Sequence, residues 1–313
     1  MIAIRPENPL IVQSDRTLLL EVANPAFEQV RDELARFAEL VKSPEHIHTF
    51  RVTPLSLWNA SASGVSCQDM VDTLERWSKY PVPQNLIQEI QDHGTRYGKL
   101  RLVQKGDRLA LEMDDRGLFW EISNQRSLQG LLAEPYPDER GIYLQTGMRG
   151  EAKLQLIRLG HPVQDMAGYK PGDPLPFELA ATLKASGNPF GLRGYQKAAM
   201  DIFHAGGGPD GGAGVLVLPC GAGKTVIGIG CMSKLQTHTL VLTTNGTAVK
   251  QWRQELLDKT SLTEDQIGLY TGDTKEIRPV TIATYQILTY RKSKDAPFEH
   301  FKIFEAANWG LVI

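Results

Sequence analysis

The 313-residue chain has three cysteines, Cys67, Cys220 and Cys231, without paired spacing and without histidines arranged beside them. That scarcity argues against a disulfide framework or a zinc site and fits a reducing cytoplasm. His46 and His48 stand two apart with no partnering cysteine or second histidine pair, so no metal role is assigned to them. No run approaches the ~18 uninterrupted apolar residues of a membrane span. The first residues, "MIAIRPENPL", lack the charged-then-apolar order of a signal peptide. Neither sign of charge dominates: 34 Lys and Arg face 36 Asp and Glu, a net charge of −2. Up to residue 190 there are 21 basic against 25 acidic residues, and after it 13 against 11. Any nucleic-acid contact must therefore come from local loops, not from a global basic field.

The length suits two or three domains. Residues 9–22 alternate apolar and polar around "LIVQSDRTLLLEV", with Ser14-Asp15 as the turn, and predict a β-hairpin. Asn24 and Pro25 open a helix whose inner face is Phe27, Val30, Leu34, Phe37 and Val41. Thr53-Pro54 opens the next, with Leu55, Leu57 and Trp58, ending near Gly64. Ser66 caps a third helix with Met70, Val71, Leu74 and Trp77, and Pro83 begins a fourth that Gly94 closes. "KLRLVQKGDRLALEM" then alternates as a second hairpin. Helices followed by a hairpin is the order of a winged-helix module, which can lay a helix in the major groove. The fourth helix, "PQNLIQEIQDHG", has no Lys or Arg, which favours a protein contact over DNA.

Residues 116–185 read as short strands, "GIYLQTG" and "KLQLIRLG" among them, followed by the connector "HPVQDMAGYKPGDPLPFEL". From about residue 189 helices and apolar strands alternate. A helix from Arg193 to His204 has Tyr195, Ala198, Ala199 and Ile202 as its expected inner face, and the glycine-rich stretch 205–214 reads as a surface connection. Strands follow at 215–218, 239–244, 280–285 and 309–313, with helices between, one of them holding Val249, Trp252 and Leu256. Repeated strand–helix units build a parallel sheet whose ligands bind at the strands' carboxyl ends.

"LPCGAGKT" lies between an expected strand and helix. Gly221, Ala222 and Gly223 let the backbone curl so that N–H groups face phosphate oxygens, Lys224 adds a point charge, and Thr225 offers a hydroxyl to Mg²⁺. The full phosphate-loop pattern has a glycine where this chain has Leu218. Phosphoryl transfer also needs a carboxylate for the metal and a cation for the developing charge. Asp273 and Asp295 sit in loop-like surroundings, and neither is assigned that task.

With these motifs in order, the chain resembles the XPB-type superfamily-two DNA repair helicases, in their bacterial form. "LRGYQKAA" resembles the adenine-side motif, with Gly194 where the family has proline. "LPCGAGKT" resembles motif I, "LVLTTNGTAVKQW" motif Ia, "YTGD" motif Ib and "VTIATYQIL" motif Ic, and "WGLVI" the strand leading to the Asp-Glu-x-His box. Upstream, "LIVQSDRTLLLEVANPAFEQVRDEL", "HIHTFRVTPLSLWNA" and "YGKLRLV" resemble the family's N-terminal domain.

The resemblance implies a RecA-like parallel-sheet P-loop domain over 189–313, incomplete before that box. It is preceded by an α+β winged-helix-like domain over 1–115 and a small β-rich region with connector over 116–188, in the damage-recognition position. It implies an ATP- and Mg²⁺-dependent helicase or translocase on DNA in the cytoplasm, associated with the nucleoid, with a possible protein partner at the N-terminal domain. Arg193, Gln196 and the run Pro219, Cys220, Gly221, Ala222, Gly223, Lys224 and Thr225 would bind nucleotide. Thr244, Asn245, Gly246, Thr271, Gly272 and Thr284 would touch one strand's backbone, without reading sequence. The acidic box and the arginine finger are not in these 313 residues. The expectation for them alone is therefore nucleotide binding with negligible hydrolysis, since lost arginine fingers cost on the order of 10³–10⁵-fold. A small-molecule P-loop kinase and a non-catalytic interaction module are the alternatives. Motifs Ia to Ic argue against the kinase.

Overall fold

A computed structural model of the chain describes residues 4–208, 211–219 and 221–313. Contacts divide it into one unit up to Ala167 and another from Gly168 to Ile313.

The alternation at the start of the first unit folds as a hairpin of β1 (Leu10–Val12) and β2 (Thr17–Glu21), Leu10 facing Leu20 across the ladder. Leu10, Leu18 and Leu20 are buried, as period-two patterning requires. Helix α1 (Phe27–Leu34) is shorter than the apolar spacing suggests. The chain leaves it at Ala35, buries Phe37, and runs into β3 (Glu39–Lys42), which pairs with β4 (Ile47–Arg51). Val41, expected on the helix's inner face, is instead exposed on an edge strand, because pairing with β4 overrides helical spacing. The sheet order is β1-β2-β4-β3.

Helices α2 (Pro54–Ala62), α3 (Cys67–Trp77) and α4 (Gln84–Gly94) pack on this sheet's core. Reciprocal capping bonds start the first two, between Thr53 and Ser56 and between Ser66 and Asp69. Trp58 is buried and donates its indole N–H to the carbonyl of His93 at 3.1 Å, the core role its sequence position suggests.

The second hairpin, β5 (Leu100–Lys105) and β6 (Arg108–Met113), belongs to a separate core. After α5 (Arg116–Ser123) come β7 (Leu132–Pro135), β8 (Gly141–Leu144), α6 (Arg149–Arg158) and β9 (Val163–Asp165). The five strands run in the order β7-β8-β6-β5-β9, so the hairpin read as a wing sits inside a sheet. Its Leu100, Leu102, Leu111 and Met113 join Phe119, Ile122, Ala152 and Leu156. Helix α6 replaces the strand expected at "KLQLIRLG". Ala152 and Leu156, four apart, are buried, while Leu154 and Ile157 are exposed, which is a helical and not a strand division. Arg149 Nη2 and Lys153 Nζ, on one turn of α6, bind the two Asp165 oxygens of β9 at 2.8 and 2.7 Å.

In the second unit, Leu175 and Phe177 of the expected connector are buried in the core. The elements are α7 (Gly194–His204), α8 (Lys224–Leu235), β10 (Thr239–Thr243), α9 (Gly246–Lys259), β11 (Ile267–Tyr270), β12 (Val280–Thr284), α10 (Tyr285–Leu288) and β13 (Leu311–Val312). The sheet is parallel, in the order β11-β12-β10-β13, with β10 and β12 in register from Thr239–Val280 to Thr243–Thr284. Loops 244–246, 271–272 and 285 onward therefore leave from one end of adjacent strands.

Two expectations fail here. Residues 215–218 form no strand: Val215 and Val217 are 93% and 86% exposed, and no ladder partner takes their backbone among the described residues. Apolar composition alone does not make a strand without a neighbour to pair with. The inner face of α7 is also turned by one residue. Ile202 is 78% exposed and Tyr195 is exposed, while Gln196 is buried and Ala199, Met200 and Phe203 pack on the core.

Two tests address the first unit. Ser66→Ala should cost about 1 kcal/mol through loss of a capping box, and Leu74→Ala about 2–5 kcal/mol through a core cavity, both read by urea denaturation. In the second test, Arg108 forks onto both oxygens of Glu134, its Nη2 3.0 Å from Oε2. The hydrogen bond from Arg108 pulls the Glu134 carboxyl from 4.5 down to about 2. A depressed acid stabilises the fold above its unfolded value, so this contribution should fade as pH falls from about 4.5 toward 2. An NMR titration of the Glu134 side chain should show a midpoint near 2, and Arg108→Ala should restore an ordinary one.

Candidate nucleotide-binding site

Gly221 and Gly223 take φ values of +80° and +78°, in the left-handed region that favours glycine. Gly223 is the residue from which α8 springs. A Cβ on it would stand 2.6 Å from Gln196 Nε2, so the backbone angle favours glycine and an added side chain would have to push that amide aside. Lys224 Nζ donates to the carbonyls of Leu218 and Pro219 at 2.9 and 3.1 Å, which curls the loop over the helix start. Thr225 stands half-buried in the first turn. Cys220 lies outside the described residues. The twelve-residue α8 turns its amino end toward this loop, where its unpaired N–H groups and dipole favour an anion.

Helix α7 approaches the same loop from the side. Gln196 is 5% exposed, which its sequence setting alone did not suggest. Its Oε1 accepts from the Arg193 N–H at 2.9 Å, and its Nε2 approaches the Ala222 carbonyl at 3.4 Å. Arg193, expected beside it at the nucleotide, is exposed at the helix start. Tyr195, which sequence reasoning placed in the core, instead donates its hydroxyl to Ala222 O at 2.5 Å. Nothing in the sequence separated that role from packing, beyond adjacency to Gln196. Helix α9 closes the other flank: Trp252 packs on the core, and a Cβ on Gly228 of α8 would come within 2.7 Å of its ring.

The loops at the strand ends hold the other expected residues. Asn245 caps α9, its Oδ1 accepting from the Ala248 N–H at 2.9 Å, and Thr244, Asn245 and Gly246 are exposed. Thr271 and Gly272 form a turn after β11, and Lys275 Nζ reaches the Gly272 carbonyl at 3.0 Å. Thr284 differs: at 5% exposure its side chain is inside, and Tyr285 after it is outside.

Among the described residues no cluster of three or more His, Cys, Asp or Glu side chains is placed to hold a metal ion. The Thr225 hydroxyl in the first turn of α8 would be a side-chain oxygen for an Mg²⁺ ion that arrived with phosphates, which would supply further ligands. The glycine pair, the lysine and the helix start fit a polyphosphate.

Parallel sheet, glycine loop and helix start together define a RecA-like P-loop domain. Two family models match the chain: "Helicase conserved C-terminal domain" over residues 10–135 and "Type III restriction enzyme, res subunit" over 189–304. The chain is 44% identical over 308 residues to the "DNA 3'-5' helicase XPB" of Kineococcus radiotolerans, covering 98% of this chain and 53% of that protein. It is 42% identical to the protein of the same name from Mycobacterium tuberculosis, over 98% and 54%. It is 28% identical to the "General transcription and DNA repair factor IIH helicase/translocase subunit XPB" of Antonospora locustae, over 98% and 45%. Over nearly its whole length the chain is similar to XPB-type superfamily-two helicases. It spans about half the length of the curated relatives it matches.

Gly223→Ala should strain the loop and push Gln196 aside. The expected outcome is a ~5- to 150-fold loss of nucleotide affinity, from backbone strain of order 1–3 kcal/mol, with the first unit's denaturation unchanged. A titration of the variant with ATP checks it.

Proposed function

We propose that the chain supplies the nucleotide-binding and DNA-gripping portion of an ATP-driven DNA helicase or translocase that works in repair or transcription. The observation that carries this reading is the seating of Gln196, buried in α7 and directed at the Ala222 carbonyl of the glycine loop. It joins the adenine-side motif to the phosphate loop in one constellation. The relatives' names include 3'-5' polarity, and we extend that polarity to this protein.

In this reading the chain's own groups bind and orient. The N–H groups of the glycine loop and the first turn of α8 donate to phosphate oxygens. Lys224 exchanges the Leu218 and Pro219 carbonyls for phosphate oxygens. Thr225 gives Mg²⁺ a hydroxyl oxygen. Gln196 Nε2 carries a second hydrogen for the adenine edge, and Arg193 stands beside it. The role of ATP is to release the energy of phosphoryl transfer for movement on DNA. Thr244, Asn245, Gly246, Thr271 and Gly272 donate to the backbone of one strand, so grip is independent of base sequence. Thr284 acts beneath them, supporting the end of β12 from the inside. A protein partner at the first unit, and work in the cytoplasm on the nucleoid, complete the reading. The Antonospora relative, named as a subunit of a transcription and repair factor, supports the partner.

A nucleotide titration with and without single-stranded DNA tests the proposal. A motor should show reciprocal coupling, each ligand tightening or loosening the other by ~5-fold or more. Lys224→Ala should weaken ATP by only ~3- to 10-fold, since the ammonium gives up its bonds to the Leu218 and Pro219 carbonyls to reach phosphate and the net gain is about 1 kcal/mol. ATP binding indifferent to DNA would return the chain to an ordinary P-loop enzyme.

A further inference from the structure

The peptide that joins Ala222 to Gly223 has its carbonyl held from outside the loop. Tyr195 Oη donates to it at 2.5 Å, and Gln196 Nε2 approaches the same oxygen at 3.4 Å. In a planar trans peptide the carbonyl and the following N–H point in opposite directions. A carbonyl drawn toward α7 therefore turns the Gly223 N–H away from α7. The left-handed φ of Gly223 is compatible with that orientation, at +78°. A phosphate site needs N–H groups turned inward and is repelled by an inward carbonyl.

We propose that Tyr195 is a positioning residue of the phosphate loop, its hydroxyl fixing the Ala222–Gly223 peptide so that the Gly223 N–H faces an anion. The proposal rests on the reading of the loop as a phosphate cradle. Of the two donors on the carbonyl, Tyr195 makes the shorter bond, and Gln196 has its Oε1 committed to the Arg193 N–H. Tyr195 is exposed, so its hydroxyl contributes to loop geometry with little part in the core. Its action is on phosphates and is blind to the base.

The test compares the intact chain with Tyr195→Phe by calorimetric titration of ATP and of inorganic tripolyphosphate, with melting temperatures measured in parallel. Loss of one hydrogen bond should weaken both ligands by a similar ~3- to 10-fold, at an unchanged melting temperature. A loss confined to ATP would put Tyr195 on the base and overturn the proposal. Equal affinities of the two proteins for both ligands would also overturn it, as would a loss accompanied by a marked fall in melting temperature. Wild-type chain that binds neither ligand would instead bring down the phosphate reading of the loop itself.

Discussion

Helices α7 and α8 approach so closely that a Cβ on Gly230 would stand 3.2 Å from Met200 Sδ and 3.3 Å from a Leu192 methyl. That approach turns α7 so that Gln196 is buried and Ile202 is left outside. Nearer the loop the same closeness leaves no room for a side chain on Gly223. A polar amide is costly to bury without partners, and Gln196 finds two in the Arg193 N–H and the Ala222 carbonyl. The glycines, the glutamine and the phosphate loop are thus one packing solution. A larger residue at Gly230 would disturb the nucleotide site from a distance through helix separation.

The sheet supplies the second half of the geometry. Parallel pairing brings the ends of β10 and β12 level, and a buried hydroxyl ties them: Thr243 Oγ1 donates to the Ala283 carbonyl at 3.1 Å. At the opposite end of β12, Thr281 is satisfied locally, by the Arg278 carbonyl at 2.8 Å. Buried hydroxyls satisfied in this way fix where the loops begin. The exposed residues 244–246 therefore leave the sheet from a fixed strand end.

What could be read beforehand follows from how local each signal was. Thr53 and Ser66 start helices where the sequence placed them, because a cap is a bond within one turn. The glycine loop was legible for the same reason, since its φ values are properties of three successive residues. Helix α6 and strand β3 were not, because each depends on a partner outside its own run of residues, Asp165 for one and the neighbouring strand β4 for the other. Within the site, Lys224 and Thr225 were legible by type. The one-residue rotation of α7 was not, because it puts the polar Gln196 inside and leaves Tyr195 and Ile202 outside, against apolar spacing.

Residues 215–219 show how the loop holds together without a paired strand beneath it. Val215 and Val217 lie in water, and the curl is fastened by Lys224 to the carbonyls of Leu218 and Pro219. An ammonium has three hydrogens to give, and two carbonyls already claim it. Phosphate binding at this lysine is therefore an exchange of hydrogen bonds more than an addition, and exchange yields far less free energy than the isolated bond would. The first N–H groups of α8, which have no acceptor within the helix, give up no such carbonyl partners. Under the proposed reading, affinity for a polyphosphate would consequently depend more on the backbone of the glycine loop than on the charge that first marks it in the sequence.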